Sequence, residues 1–295
     1  MCTNTTNTTS TLETLQGVAY CPLLLFGLLL NAAALWASYT QRASWTDTHI
    51  YILNLVAADS ALIFFLPLRI YDSFSCLPKN YFCTFLVNTH YINMYASIFT
   101  STAISVHRYL VVRFPLRARA WRKRKMTAFA VCLAIWVFVL TICAIFREEN
   151  YPDKLCSCFE RCKNQGITLQ FGFMLVFAGF LLPLLTVVFC SSQILSILLK
   201  DKNTKSGKRK SSISIVTANM VVFIFCYTPI HIRFAVLSFG TPPSDPLSEH
   251  LFLSISEWIA ASNCCLDSIS YYFLLKKITY RMESSDAPRA SQTAE

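Results

Sequence analysis

Seven apolar runs, near residues 15–39, 49–71, 84–112, 126–146, 167–199, 213–239 and 249–275, dominate the chain. Each reaches the roughly 20 residues that a helix needs to cross a ~30 Å hydrocarbon layer. In lipid a backbone must satisfy its own hydrogen bonds, so isolated runs of this length become helices. Composition agrees: 54% of the residues are hydrophobic and only 14% charged, with a mean hydropathy of +0.46, whereas a soluble domain carries about 25% charge. The expected fold is an all-α membrane protein built as a seven-transmembrane helix bundle. An odd number of spans puts the two termini on opposite sides of the membrane.

Basic residues near span ends set the orientation. With the N-terminus outside, the inner segments hold Arg42, eight basic residues from Arg108 to Lys125, six from Lys200 to Lys210, and Lys276, Lys277, Arg281 and Arg289, which is 19 of the 26 Lys and Arg. The net charge of +10 is therefore a topogenic and membrane-lipid signal. The basic clusters are short loops between spans, so nucleic acid is not an expected partner. Asn4-Thr5-Thr6 and Asn7-Thr8-Thr9 are glycosylation acceptors, and such sites are modified on the lumenal side. The leader Met1–Gln16 is polar and lacks a basic n-region, so the first span is expected to serve as its own insertion signal. These features imply a multi-pass plasma-membrane protein with an extracellular N-terminus.

The connections are short, which leaves no room for a separate soluble domain. Residues 1–14 read as a glycosylated extracellular N-terminus, 15–275 as the seven-helix domain, 276–284 as a short amphipathic eighth helix, and 285–295 as a disordered cytoplasmic tail. Of thirteen cysteines, Cys132, Cys143, Cys190, Cys226, Cys264 and Cys265 fall within spans as small packing residues. Cys2, Cys21, Cys76, Cys83, Cys156, Cys158 and Cys162 lie on or near the outer face, where disulfides are permitted, and residues alone leave their pairing open.

Ionisable residues inside a span are costly and mark function. Asp59 and Asp267 sit mid-span, with Asn31, Asn54, Ser97, Asn219 and Asn263 also in spans. Converging oxygens of this type suit a small hard cation, and Asp59, Ser97, Asn263 and Asp267 are the candidate ligands of an allosteric sodium ion. The competing reading is a purely structural network with protonated aspartates. No other cofactor is expected. Pro67, Pro183 and Pro229 lie inside spans and bend their helices. A buried polar network beside three such bends has the parts of a two-state switch.

"GLLLN" ending at Asn31, "NLVAAD" ending at Asp59, Cys83 ahead of "HRY", Trp136, Pro183, "FIFCYTP" from Phe223 to Pro229 and "DSISY" from Asp267 to Tyr271 follow one another, one per helix. In this order they resemble the rhodopsin-like (class A) G protein-coupled receptors over the whole chain. The resemblance implies a disulfide between Cys83 and Cys158, a heterotrimeric G protein of the Gi/o or Rho-linked type and arrestin as partners, and Arg108 as the group exposed to the G protein. His107, Arg108, Tyr109, Tyr227, Pro229 and Tyr271 would form the switch. Several positions depart from the family pattern. His107 stands where an Asp or Glu is usual, Tyr227 where a Trp is, Asp267-Ser268 where Asn-Pro is, and Ser191 where many members have Tyr. A neutral or cationic His107 cannot tie Arg108 down as a carboxylate does, which implies a weakened resting lock and raised basal signalling.

At the outer helix ends lie Arg69, His90, Arg147, His231 and Arg233, with Tyr91, Tyr95, Tyr227 and Phe234 near them. Aminergic members carry an aspartate where His90 stands, so a cationic amine is not expected. Met94 replaces an arginine that holds carboxylates in part of the family. A basic, aromatic-lined cavity suits an anionic small molecule or lysophospholipid-like lipid, with Arg69 and Arg233 as anchors. The competing reading is that these cations snorkel or pair with Glu148, Glu149, Asp72 or Glu257. Other function classes kept open are a non-signalling scavenger or decoy receptor and a chemokine-type peptide receptor. No Ser-His-Asp set or phosphate-cradling glycine loop is visible, so no enzyme is expected.

Overall fold

The computed structural model describes residues 7–40, 47–75, 77–116, 125–161, 167–200, 206–240 and 246–269. Within them run seven long helices: α1 (Asn7–Thr40), α2 (Asp47–Ser75), α3 (Tyr81–Arg113), α4 (Lys125–Ile145), α5 (169–200), α6 (Ser206–Phe239) and α7 (246–269, with a turn at Ser262). The boundary read at residue 14 falls inside α1, which begins at Asn7. Asn4, Cys2, Cys76, Cys162, Tyr271 and the eighth helix lie outside the described residues. We call the end of the bundle that carries the start of α1 and α3 the outer end, and the opposite one the inner end.

Thr11–Thr40, Asp47–Ser75, Met126–Ile145, Leu169–Lys200 and Ser212–Phe239 are each long and apolar enough to cross a bilayer. Their lipid-ready faces are evident in Phe26, Leu29 and Trp36 of α1 and Leu133 and Val137 of α4, all exposed. Helix α3 is more polar, with Asn88, His90, Asn93, Ser97 and Thr100 along it, because it packs among α2, α4 and α5. Its polar groups meet protein rather than lipid, which is where a membrane helix tolerates them.

Three polar links hold the helices in register. Asn31 Nδ2 of α1 donates to Cys264 O of α7 at 3.1 Å. Asn93 Nδ2 of α3 donates to Ala58 O of α2. On the far side Asn54 Nδ2 of α2 donates to Thr100 Oγ1 of α3 at 2.7 Å, while Trp136 Nε1 of α4 donates to Asn54 Oδ1 at 2.8 Å. One amide thus joins three helices. Asn54→Val strands the indole N–H and a threonine lone pair, at about 1–3 kcal/mol for each buried group. A lower melting midpoint for the purified variant is expected; an unchanged one contradicts this role.

Helix α3 starts where it does because Asn80 Oδ1 accepts from Cys83 N at 3.1 Å, an N-cap. This fixes Cys83 in the first turn, where it is disulfide-bonded to Cys158. Cys158 lies in the turn of a two-stranded antiparallel ribbon, β1 (Leu155–Ser157) and β2 (Glu160–Arg161). The all-helical bundle therefore carries a small strand pair in its longest outer connection. Thr84 Oγ1 donates to Asn150 O at 2.7 Å and Asn150 Nδ2 to Asn88 Oδ1 at 2.7 Å, pinning that connection to α3.

Helix α5 opens into a π-helix over Met174–Leu181 before resuming an α-helix at Leu182. Pro183 gives the reason. Its ring lacks an N–H and would crowd the carbonyl of Gly179 in a regular helix, and a wider turn relieves both. Gly179 is itself pressed against α3: a Cβ there would sit 2.5 Å from Tyr95 Cε1. Proline and glycine together let α5 approach α3 at the level of Tyr95.

Candidate functional site

The expected ligand residues are divided by the helical step of α3. Positions 90 and 94 share one face, and 91 and 95 share the next, because residues four apart stack on a helix. His90 and Met94 line a small central cavity with Leu62, Tyr227 and Asn263. Tyr91 and Tyr95 turn instead to a cleft among α3, α4 and α5, with about 540 Å³ of empty space counting its open side. Phe99, Phe138, Phe146 and Phe171 make that cleft strongly apolar.

Arg69 is buried, and its guanidinium hydrogen-bonds and ion-pairs with the Glu257 carboxylate of α7. Tyr20 and Phe159 cover it, with ring centroids 5.0 Å and 4.7 Å from Cζ. The Glu257 partnership, one of those the sequence left open, is the one adopted. Arg233 is half-buried on α6, and Arg147 is exposed in the 3₁₀ turn after α4. Of the three arginines, Arg69 is the deeply buried member.

His231 belongs to the aromatic core rather than to a charged site. Its Nδ1 lies 2.6 Å from Tyr227 O, a carbonyl that only accepts, so Nδ1 carries the proton. Nε2, 3.2 Å from Tyr95 Oη, is then free to accept from that hydroxyl. The neutral ring is satisfied at both nitrogens, and it stacks on Phe180 with centroids 4.3 Å apart. This contact joins α3, α5 and α6 beside Pro229.

Deeper in the bundle, Asn263 Nδ2 donates to Asp267 Oδ2 at 2.7 Å. Asp59 Oδ2 and Ser97 Oγ are buried oxygens without a hydrogen-bond partner among the described residues. Asp59 interacts electrostatically with Asp267 and sits beside Asn93 and Ser97. Two buried aspartates, one of them with an orphaned carboxylate oxygen, beside the Ser97 hydroxyl form a donor set that fits a small hard cation. A second cavity continues inward past Tyr227 and Asn263 to Asn219 and Asp267. Internal space therefore runs in steps from His90 towards the inner end.

At the inner end His107 Nε2 lies 3.4 Å from Asp47 Oδ2, in the first turn of α2, and its ring is 5.7 Å from Tyr51. His107 is thus tied to a carboxylate of another helix. Sequence reasoning missed Asp47, whose only signal was an acid at a helix start. Arg108 is half-buried beside it, and Tyr109 contacts Phe189 of α5 with centroids 5.9 Å apart.

Residues 30–271 match the 7 transmembrane receptor (rhodopsin family). The chain belongs to that family. The receptor is 35% identical to G-protein coupled receptor 35 of Mus musculus over 284 residues, covering 92% of this chain and 90% of the relative. It is 31% identical to G-protein coupled receptor 55 of Homo sapiens, covering 89% and 86%. Lysophosphatidic acid receptor 6 of Gallus gallus is 29% identical, covering 88% and 89%. These relatives are receptors and none carries an enzyme's name. The receptor is accordingly a multi-pass membrane protein, and the Cys83–Cys158 disulfide implied by the family resemblance is present.

Proposed function

We propose that the receptor sits in the plasma membrane with its N-terminus outside, where it binds an extracellular ligand with an acidic group and an apolar body. Binding then lets a heterotrimeric G protein of the Gi/o or Rho-linked type engage Arg108. The observation that carries this reading is the buried Arg69 guanidinium at the outer end of an aromatic bundle, where a permanently charged group has no purely apolar role. The relative named for lysophosphatidic acid supports it. Arg233 is the second anchor, and the Tyr91 and Tyr95 cleft is a seat for apolar bulk. Arrestin is the expected second cytoplasmic partner.

A panel of acidic metabolites and lysophospholipids, read by Gi/o and Rho-linked G protein sensors, tests the reading. For any activating compound, Arg69→Gln and Arg233→Gln at matched surface expression are expected to lower potency by tenfold or more. Unchanged potency in both variants removes the anchors. Internalisation of a compound without G protein activation favours a scavenger.

Asp59, Ser97, Asn263 and Asp267 would hold a sodium ion, which supplies one positive charge between the two aspartates. Replacing sodium by a large organic cation at constant ionic strength is expected to lower the melting midpoint of the wild type but not of Asp59→Asn, since a bound ion stabilises by mass action. An equal response in both proteins removes the ion.

A further inference from the structure

The Arg69–Glu257 pair restricts the charge a ligand can carry, given the reading of the outer end as the ligand seat. Both side chains are largely enclosed, 8% and 15% exposed, and each already holds the other. An acid that takes Arg69 draws the guanidinium away from Glu257. It leaves a carboxylate enclosed between α2 and α7 without a counter-charge, and unpairing a buried ion pair is strongly unfavourable. Asp72 adds to the difficulty. It lies one turn along α2 from Arg69, on the same face, and interacts with Arg69 electrostatically. Formal charges within this group of three side chains are thus one cation and two carboxylates, a poor field for a simple anion.

We propose that the headgroup bound here is zwitterionic, with an acidic group for Arg69 and an ammonium for Glu257. Inserted into the pair, such a headgroup leaves every buried charge with an opposite neighbour. Glu257 thereby becomes a specificity-determining residue: it excludes plain acids and selects acids that bring their own cation. A lysophospholipid with an amine-bearing phosphate has this chemistry, and one ending in bare phosphate does not.

Two lipids with the same oleoyl chain separate these cases, lysophosphatidylethanolamine and lysophosphatidic acid, which differ by the ethanolamine cation. Their affinities are measured on the full receptor in nanodiscs, for the wild type, Glu257→Gln, and the double variant Arg69→Gln with Glu257→Gln. The wild type is expected to bind the ethanolamine lipid at least tenfold more tightly, and Glu257→Gln to reverse the order. The double variant, which has no buried charge to strand, should discriminate by less than about threefold, as expected when the charge-assisted bonds are gone. Equal or tighter binding of lysophosphatidic acid to the wild type overturns the proposal while leaving the acidic-ligand reading intact. A preference that persists in either variant also overturns it. Binding of neither lipid overturns both the zwitterion and the lysophospholipid reading.

Discussion

Arg69→Ala is expected to reduce folded, surface-expressed receptor sharply, and adding Glu257→Leu is expected to restore it. The single change leaves the largely enclosed Glu257 carboxylate with its guanidinium gone. Removing one partner of a buried pair costs about 3–5 kcal/mol, whereas replacing both by packed apolar groups is close to neutral or better. Few domains can absorb the first loss, since total stability is about 5–15 kcal/mol. Surface labelling of intact cells and the melting midpoint of purified protein read the effect. Equal expression of the single and double variants would show that the pair is not enclosed as described. A rescued but lipid-insensitive double variant would separate the structural part of Arg69 from its part in recognition.

His107→Asp is expected to lower agonist-free signalling about tenfold. The substitution puts a carboxylate next to Arg108 on the same helix and gives the arginine a local partner. A charge-assisted bond contributes about 1.5–3 kcal/mol, and each 1.4 kcal/mol is a factor of ten in a population. Asp47 matters to the outcome, because it lies 3.4 Å from the native imidazole and will repel the new carboxylate towards Arg108. Asp47→Asn in the wild-type background removes the tie between His107 and α2. Basal signalling is expected to change in that variant too, since the tie joins α3 to the start of α2 at the inner end. G protein sensors without agonist, at matched surface expression, measure both. Unchanged basal signalling in His107→Asp contradicts the missing-latch account.

The seven helices were legible because a bilayer demands about 20 apolar residues in a row, a requirement that needs no tertiary information. Asp59, Asn54 and Asn263 were legible for the converse reason, as polar residues where lipid tolerates few. Their partners were not. Arg69 and Glu257 stand 188 positions apart, and nothing local in "FFLPLRIYD" or "SISEWIA" joins them. The division of His90 and Met94 from Tyr91 and Tyr95 follows from the 100° step between residues, yet which face meets which neighbour depends on how α4 and α5 dock. His231 looked like a charged ligand group in the sequence. Its environment, with the Tyr227 carbonyl on one nitrogen and the Tyr95 hydroxyl on the other, makes it a neutral link between helices. The π-helix of α5 had one local sign, Pro183, which marks a distortion without saying whether the helix kinks or widens.

On the proposed function, occupation of the outer seat is transmitted to a G protein at the inner end. The most direct measurement is G protein activation in cells by oleoyl lysophosphatidylethanolamine and lysophosphatidic acid, comparing the wild type with Arg108→Ala at equal surface expression. The account predicts concentration-dependent activation of a Gi/o or Rho-linked G protein by at least one lipid through the wild type, and none through Arg108→Ala despite unchanged lipid binding. Lipid binding to the wild type with no G protein response would contradict it.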